Sequence, residues 1–200
     1  MSKNRRGAAN LDRVWVVDLE STCWETKEEQ GDKPNEIIEI GICALWIQTG
    51  DITLKRSFTV RPQHSEVTDF CTSLTGWKPE DVEHAPTIDK VLKTMEQELG
   101  FTSDDVWFSC GMYDKLMLSS SPHYKHSLKV LYDIDRRDNP FERMRMHVDI
   151  KVLMALKEKL TKAMGMARML TFYGEELEGQ HHNGADDAYN TAKIVRRVLS

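Results

Sequence analysis

Asp18 and Glu20 lie two residues apart at the end of the apolar run VWVVDL, Val14 to Leu19. The period of two in a strand sends both carboxylates to one side of a sheet. Carboxylates held together repel unless a proton or cation sits between them, and hard divalent cations favour such an oxygen-rich setting. Read alone, the pair also fits two solvated charges at a strand's exit. Asp114, in CGMYDKLML, follows a second apolar run, Val106 to Cys110, by a short glycine-containing turn. It should open a helix, where an acid also suits the macrodipole, so a capping role competes with a metal-binding one. His182 and Asp187 stand in HHNGADDAYNTAKIV. Asn183 can cap the helix that follows, which leaves His182 just outside it and Asp187 in its first turn. A carboxylate there can bind metal. A histidine there can take a proton from a metal-activated water, because its pKa lies near working pH. His181 competes for that role. The other five histidines (His64, His84, His123, His126 and His147) show no metal-ligand spacing and read as satisfied surface or core residues.

These residues need a scaffold, and the hydrophobic pattern predicts one. Val14 to Leu19, Glu36 to Trp46, Leu54 to Val60 and Val106 to Cys110 read as strands, with Met146 to Ile150 as a candidate fifth. Glu25 to Asn35 reads as a polar loop. Asp69 to Leu74 reads as a short helix stopped at Gly76. Thr87 can cap a helix that carries Ile88, Val91, Leu92, Met95 and Leu99 on one face and ends at Gly100. Helices are also expected after Gly111, near Leu153 to Leu160, over roughly Ala163 to Tyr173, and from Gly184 to Leu199. The last should turn Ala188, Ala192, Val195 and Leu199 inward. Three strands in hairpin order, then helix–strand alternation, indicate an α/β fold with a mixed sheet and helices on both faces. Strand ends in such sheets are where ligands gather. The methionines Met144, Met146, Met154, Met164, Met166 and Met169 read as core filler.

The 200 residues, 40% hydrophobic, suit one domain over 14–200 behind a short basic arm at 1–13. The arm has no apolar stretch behind it and does not read as a secretory signal. No run is long enough to span a bilayer. The four cysteines are far apart, with no CxxC pair, which argues against a zinc ribbon or a disulfide scaffold. Reduced thiols point to a cytoplasmic location. The net charge of −5 leans away from a protein that blankets phosphate backbones, although bound cations can reverse the field locally. Residues 119–146 are locally basic, which fits a phosphate-facing surface, although a solvated helical face is the favoured reading.

DLEST, then an aspartate after the fourth strand, then HNGADD before the last helix: in order and spacing this set resembles the DEDDh superfamily of 3′–5′ exonucleases. EIIEIGICAL, SFTVRP and VTDFCTSLTGW are similar to segments of its Eri-type exoribonuclease subfamily. The resemblance spans roughly Val14 to Leu199. It implies an RNase H-like fold with a five-stranded mixed sheet. It also implies metal-dependent hydrolysis of terminal phosphodiesters at single-stranded RNA or DNA 3′ ends, RNA above DNA, with release of nucleoside 5′-monophosphates. The implied cofactor is Mg²⁺, two ions, with Mn²⁺ as a substitute. Asp18, Glu20 and Asp187 would hold one ion, Asp18 and Asp114 the second, and His182 would be the general base. Thr22 matches a position that helps seat the terminal nucleotide. Leu19 would offer its backbone there, and Tyr113 and Leu74 would wall the terminal base. Some Eri-type relatives carry a further nucleic-acid-binding domain ahead of the nuclease, and none is expected here.

Overall fold

Strand β1 (Arg13–Ser21) alternates between two buried faces, because apolar residues occupy both sides of it. In the computed structural model, which describes residues 11–200, it is the middle strand of five in the order β3-β2-β1-β4-β5. The chain continues with α1 (Lys27–Gln30), β2 (Ile37–Trp46), β3 (Ile52–Thr59), α2 (Asp69–Thr75), α3 (Pro79–Glu83), α4 (Ile88–Leu99) and β4 (Val106–Ser109). Then come α5 (Tyr113–Met117), α6 (Leu128–Tyr132), a 3-10 turn (Arg136–Asp138) and α7 (Pro140–Arg143). The chain ends with β5 (Met146–Asp149), α8 (Ile150–Lys157), α9 (Met166–Phe172) and α10 (Gly184–Leu199). The first three strands pair antiparallel, and β4 and β5 add parallel to β1. The sheet is therefore mixed, as its hairpin-then-crossover order predicts.

Parity along β1 sorts the core. Trp15, Val17 and Leu19 join Ile40, Ile42 and Trp107 against α4. Val14 and Val16 join Cys43, Val106 and Phe108 against α8, α9 and α10. A residue that shares parity with Val14 and Val16 thus faces α10.

Some expectations shift. Residues 1–10 of the basic arm lie outside the described residues, and Arg13 already belongs to β1. The loop at 25–35 contains one helical turn, α1, capped by Thr26. Strand β3 begins at Ile52, two residues before the expected start, and α8 begins at Ile150 because Asp149 caps it by accepting from Lys151 N at 2.9 Å. Met146 is 49% exposed on the short edge strand β5 and is not core filler, while Met154, Met166 and Met169 are buried. Leu199 is 42% exposed in the last turn of α10, and Val198 takes the inward position. Residues 119–146 form short helical pieces, and several of their charges are paired: Lys129 holds Asp133 and Asp135 at 2.6 and 2.7 Å, and Arg143 pairs with Glu96 of α4. Such partnering fits a solvated face. No helix among the described residues is long and apolar enough to cross a membrane.

Candidate active site

Asp18 and Glu20 continue the parity of Val14 and Val16, so both point to the α10 side where β1 ends. Asp187 meets them from the first turn of α10. Ligand oxygens of the three lie within 4.8 Å of one another. Asp114, on α5 just past the end of β4, is tied to β1 directly: its Oδ1 accepts from Leu19 N at 3.1 Å. The parallel pairing of β4 with β1 brings these two strand ends side by side. The four acids line an open cleft of about 310 Å³ together with Leu19, Tyr113, His181 and His182.

Why α10 arrives there is visible in strand β2. Gly41 pairs with Asp18, and a Cβ at Gly41 would lie 1.9 Å from the carbonyl carbon of Gly184. Two missing side chains let the start of α10 rest on the sheet. Glu39, two residues before Gly41 and fully buried, completes the seat. Its carboxylate accepts from Gly184 N at 2.9 Å, Ala185 N at 3.3 Å, Trp77 Nε1 at 2.8 Å and Ser57 Oγ at 2.6 Å. The helix N-terminus is a favourable place for that negative charge. Asn183 caps the same end, its side chain accepting from Asp186 N at 3.1 Å.

The two oxygens of Asp187 have different surroundings. Oδ2 accepts from His182 N at 3.0 Å and lies 2.9 Å from His181 Nδ1. Oδ1 is buried and meets no hydrogen-bond donor among the described residues. A buried carboxylate oxygen without a partner is costly, and the acids around it offer no proton donor while ionised. The set fits a divalent cation: hard oxygen ligands, one of them orphaned, gathered at a strand end. His182 reaches its position through a left-handed backbone, φ 65°, which aims its N–H at Asp187. Its ring stacks on His181, centroids 4.0 Å apart and 12° from parallel. The side chain hydrogen-bonded to Asp187 is thus that of His181, while His182 contributes its backbone.

Electrostatics mark the cluster as under strain without a cation. Burial, then the neighbouring Asp114, Glu20, Asp187 and Glu39, hold the Asp18 carboxyl well above the usual carboxylate range, although the residue keeps some solvent contact. Burial and then Glu39, its register partner across the strands, push Glu20 up to about 9. Burial raises Asp114 to about 6 against the hydrogen bonds that favour its ionised form. Burial, then the charge of His181, lowers the pKa of His182.

Tyr113 stands in the cleft wall, its hydroxyl 2.7 Å from Ser21 Oγ. Thr22 follows β1 directly. It is fully buried, and its hydroxyl accepts from Glu36 N at 2.9 Å, so its side chain ties the end of β1 to the start of β2. Leu74 is 37% exposed on α2, outside the residues that line the cleft. Sequence reasoning missed Glu39, Cys110, Lys151 and Met166. A lone acid inside the otherwise apolar run IIEIGICALW is the available signal for Glu39. The other three carry no local signal.

Residues 15–195 match the RNase_T exonuclease family model. The ERI1 exoribonuclease 2 of Danio rerio is 28% identical over 199 residues, 92% of this chain and 34% of that protein. The 3′-5′ exoribonuclease 1 of Homo sapiens is 28% identical over 198 residues, 94% of this chain and 52% of that one. The chain thus spans about a third to a half of the length of these curated relatives. Among solved structures, a full-length 3′-exonuclease superposes with a TM-score of 0.76 at 27% identity, covering 94% of this chain and 81% of that one. The nuclease domain of 3′hExo, described as a DEDDh family member bound to rAMP, gives 0.76 at 25% identity over 96% of this chain and 94% of that domain.

Proposed function

Because this chain belongs to the RNase_T exonuclease family, we propose that it is a divalent-metal-dependent 3′–5′ exonuclease that trims single-stranded RNA ends and releases nucleoside 5′-monophosphates. Its fold is RNase H-like. The observation that carries the reading is the convergence of Asp18, Glu20 and Asp187 within 4.8 Å, with Asp187 Oδ1 unpartnered and Asp114 bonded to the same strand.

Asp18, Glu20 and Asp187 would hold one cation, and Asp18 with Asp114 a second, Mg²⁺ by preference and Mn²⁺ in its place. When bound, such a pair activates water and neutralises the charge that develops on a phosphodiester. The chain's own side chains do the rest. His182, in the cleft and with its pKa lowered by burial, accepts the proton of the attacking water at a ring nitrogen. His181 keeps Asp187 turned so that its free oxygen faces Asp18 and Glu20, as an outer partner orients a metal ligand. Tyr113 offers an aromatic wall against which a terminal base stacks, which suits an unpaired end and weak sequence preference.

The preference for RNA rests on the relatives, among them a 3′-exonuclease solved in recognition of a histone mRNA stem-loop. Leu19 contributes backbone at the cleft, and Ser21 a hydroxyl beside Tyr113. The four cysteines are free thiols, which supports a reducing, cytoplasmic setting.

The test is a ladder assay on end-labelled single-stranded RNA, single-stranded DNA and duplex, with and without Mg²⁺. Stepwise shortening from the 3′ end that stops in chelator is the expected result. Full activity in excess EDTA, with metal content verified as nil, would overturn the reading.

A further inference from the structure

Among the residues that line the cleft, Lys151 is the one lysine or arginine. It follows the cap of α8: Asp149 accepts from its backbone N–H at 2.9 Å, which fixes where the side chain leaves the helix. The side chain then runs past Gly111. A Cβ there would stand 3.2 Å from Nζ and 3.7 Å from Cε, and Gly111 has φ +114°, a backbone that L side chains rarely adopt. A glycine at this turn thus keeps a corridor open for the ammonium, next to Cys110 and Asp114.

The ammonium makes no ion pair or hydrogen bond with any described residue. Other cations of this chain do pair: Lys193 with Glu178 at 2.7 Å, Lys115 with Glu142 at 3.5 Å. A cation in a cleft lined by four acids would ordinarily be captured by one of them. Lys151 is instead close enough to oppose the upward push on Asp114 and Cys110, yet bonded to neither. It is a donor in want of an acceptor, facing the place where substrate must enter.

We propose that Lys151 is a phosphate subsite of this cleft, its ammonium donating to a non-bridging oxygen of the terminal nucleotide's phosphate, so that nucleotides are held in preference to nucleosides. This rests on the exonuclease reading and deepens it. The acids that would hold cations and Lys151 line one cleft, and a phosphate is the polyanionic group that both could share. Lysine serves phosphate as a point charge with rotatable donors, which suits a group that must arrive and leave each turnover.

The test compares a nucleoside 5′-monophosphate with the matching nucleoside. Binding of each is measured calorimetrically in Mg²⁺ for wild type, Lys151→Met and Lys151→Arg, with melting temperatures as a check on folding. Lys151→Met should weaken the monophosphate by about ten- to a hundredfold, the size of a lost charge-assisted hydrogen bond, and leave the nucleoside within about twofold. Lys151→Arg should recover part of the loss. In Ca²⁺, the salt dependence of single-stranded oligonucleotide binding should also flatten by about 0.7 in log–log slope for the one contact removed. Unchanged monophosphate affinity, or equal losses for monophosphate and nucleoside, overturns the subsite. A wild type that neither shortens RNA nor binds the monophosphate overturns the exonuclease reading, and the subsite with it.

Discussion

The two histidines of the HHNG segment divide the work by different atoms. His181 gives a side-chain contact to Asp187 Oδ2, and His182 gives its backbone there and its ring to the cleft. Removing the ring of His182 should therefore act on the proton-transfer step, lowering kcat by about 10²–10⁴-fold in His182→Ala. His181→Ala should leave kcat far closer to wild type and raise the metal concentration needed for half-maximal activity, by about ten- to a hundredfold for a lost outer partner. Titrations of kcat against metal for both variants check this, and reversed roles would exchange the two assignments. The acid limb of the rate profile should fall below the ordinary histidine value of 6.5, because burial and the charge of His181 lower the pKa of His182. Metal affinity must be held saturating across that range. Asp18→Ala, Glu20→Ala, Asp114→Ala and Asp187→Ala should each nearly abolish cleavage. Near-wild-type turnover in Asp114→Ala would remove that residue from the metal set. The sequence singles out these five residues by order and spacing. It could not tell which histidine side chain meets Asp187, because one left-handed residue at His182 decides that and no local pattern encodes it.

At the level of elements, the site is as good as the seat of α10. Strand β1 carries two of its acids by simple alternation, so its reading from sequence was secure. The helix start was readable too, since Asn183 is a recognisable cap. What was not readable is the place where that start rests, because Gly41 and Gly184 are far apart in sequence and their meaning lies in an absent carbon. Gly41→Ala should force the first turn of α10 off the sheet. Overpacking of this kind costs about 1–3 kcal/mol, and Asp187 would move with the turn. We expect a lower melting temperature and a loss of activity of at least about tenfold, with restored activity at raised metal concentration excluded if Asp187 no longer faces Asp18. Full activity at an unchanged melting temperature would show that the contact is looser than its 1.9 Å geometry. Thr22 illustrates the reverse case. Its place in the motif suggests a role at the cleft, and burial makes its hydroxyl a tie between the ends of two strands.

For the whole molecule, stability and metal are linked through charge. The raised carboxyl of Glu20 favours its neutral form in the fold, from an ordinary value of 4.5 to about 9, and Asp114 shifts from 3.8 to about 6. Groups shifted upward stabilise the fold most below their ordinary pKa, and that contribution is lost as pH rises through the folded value. The metal-free protein should melt at progressively lower temperature between about pH 5 and 9, and saturating Mg²⁺ should offset the decline. Glu20→Gln should flatten the metal-free slope, and an unaltered slope in that variant would exclude Glu20 as its source. Substrate choice is also a property of the whole surface, on which Lys129 and Arg143 of the basic segment at 119–146 are already paired with carboxylates. On the proposed function, discrimination between RNA and DNA would fall to the terminal nucleotide at the cleft. At one fixed salt concentration, kcat/KM should favour RNA over a matched DNA oligomer. A DNA rate about ten times the RNA rate would reassign the substrate and leave the exonuclease in place.

The parity of β1 gives this gene an uneven tolerance to damage. Point substitutions among Val14 to Val17 would thin the core and dim activity by degrees. Loss of a single codon there is a different kind of lesion. It would turn Asp18 and Glu20 toward the side lined by Trp15, Val17 and Trp107, and present Leu19 to the cleft in their place. An in-frame deletion of Val16 should yield no partial enzyme at any metal concentration, whereas Val16→Ala should yield a weakened one.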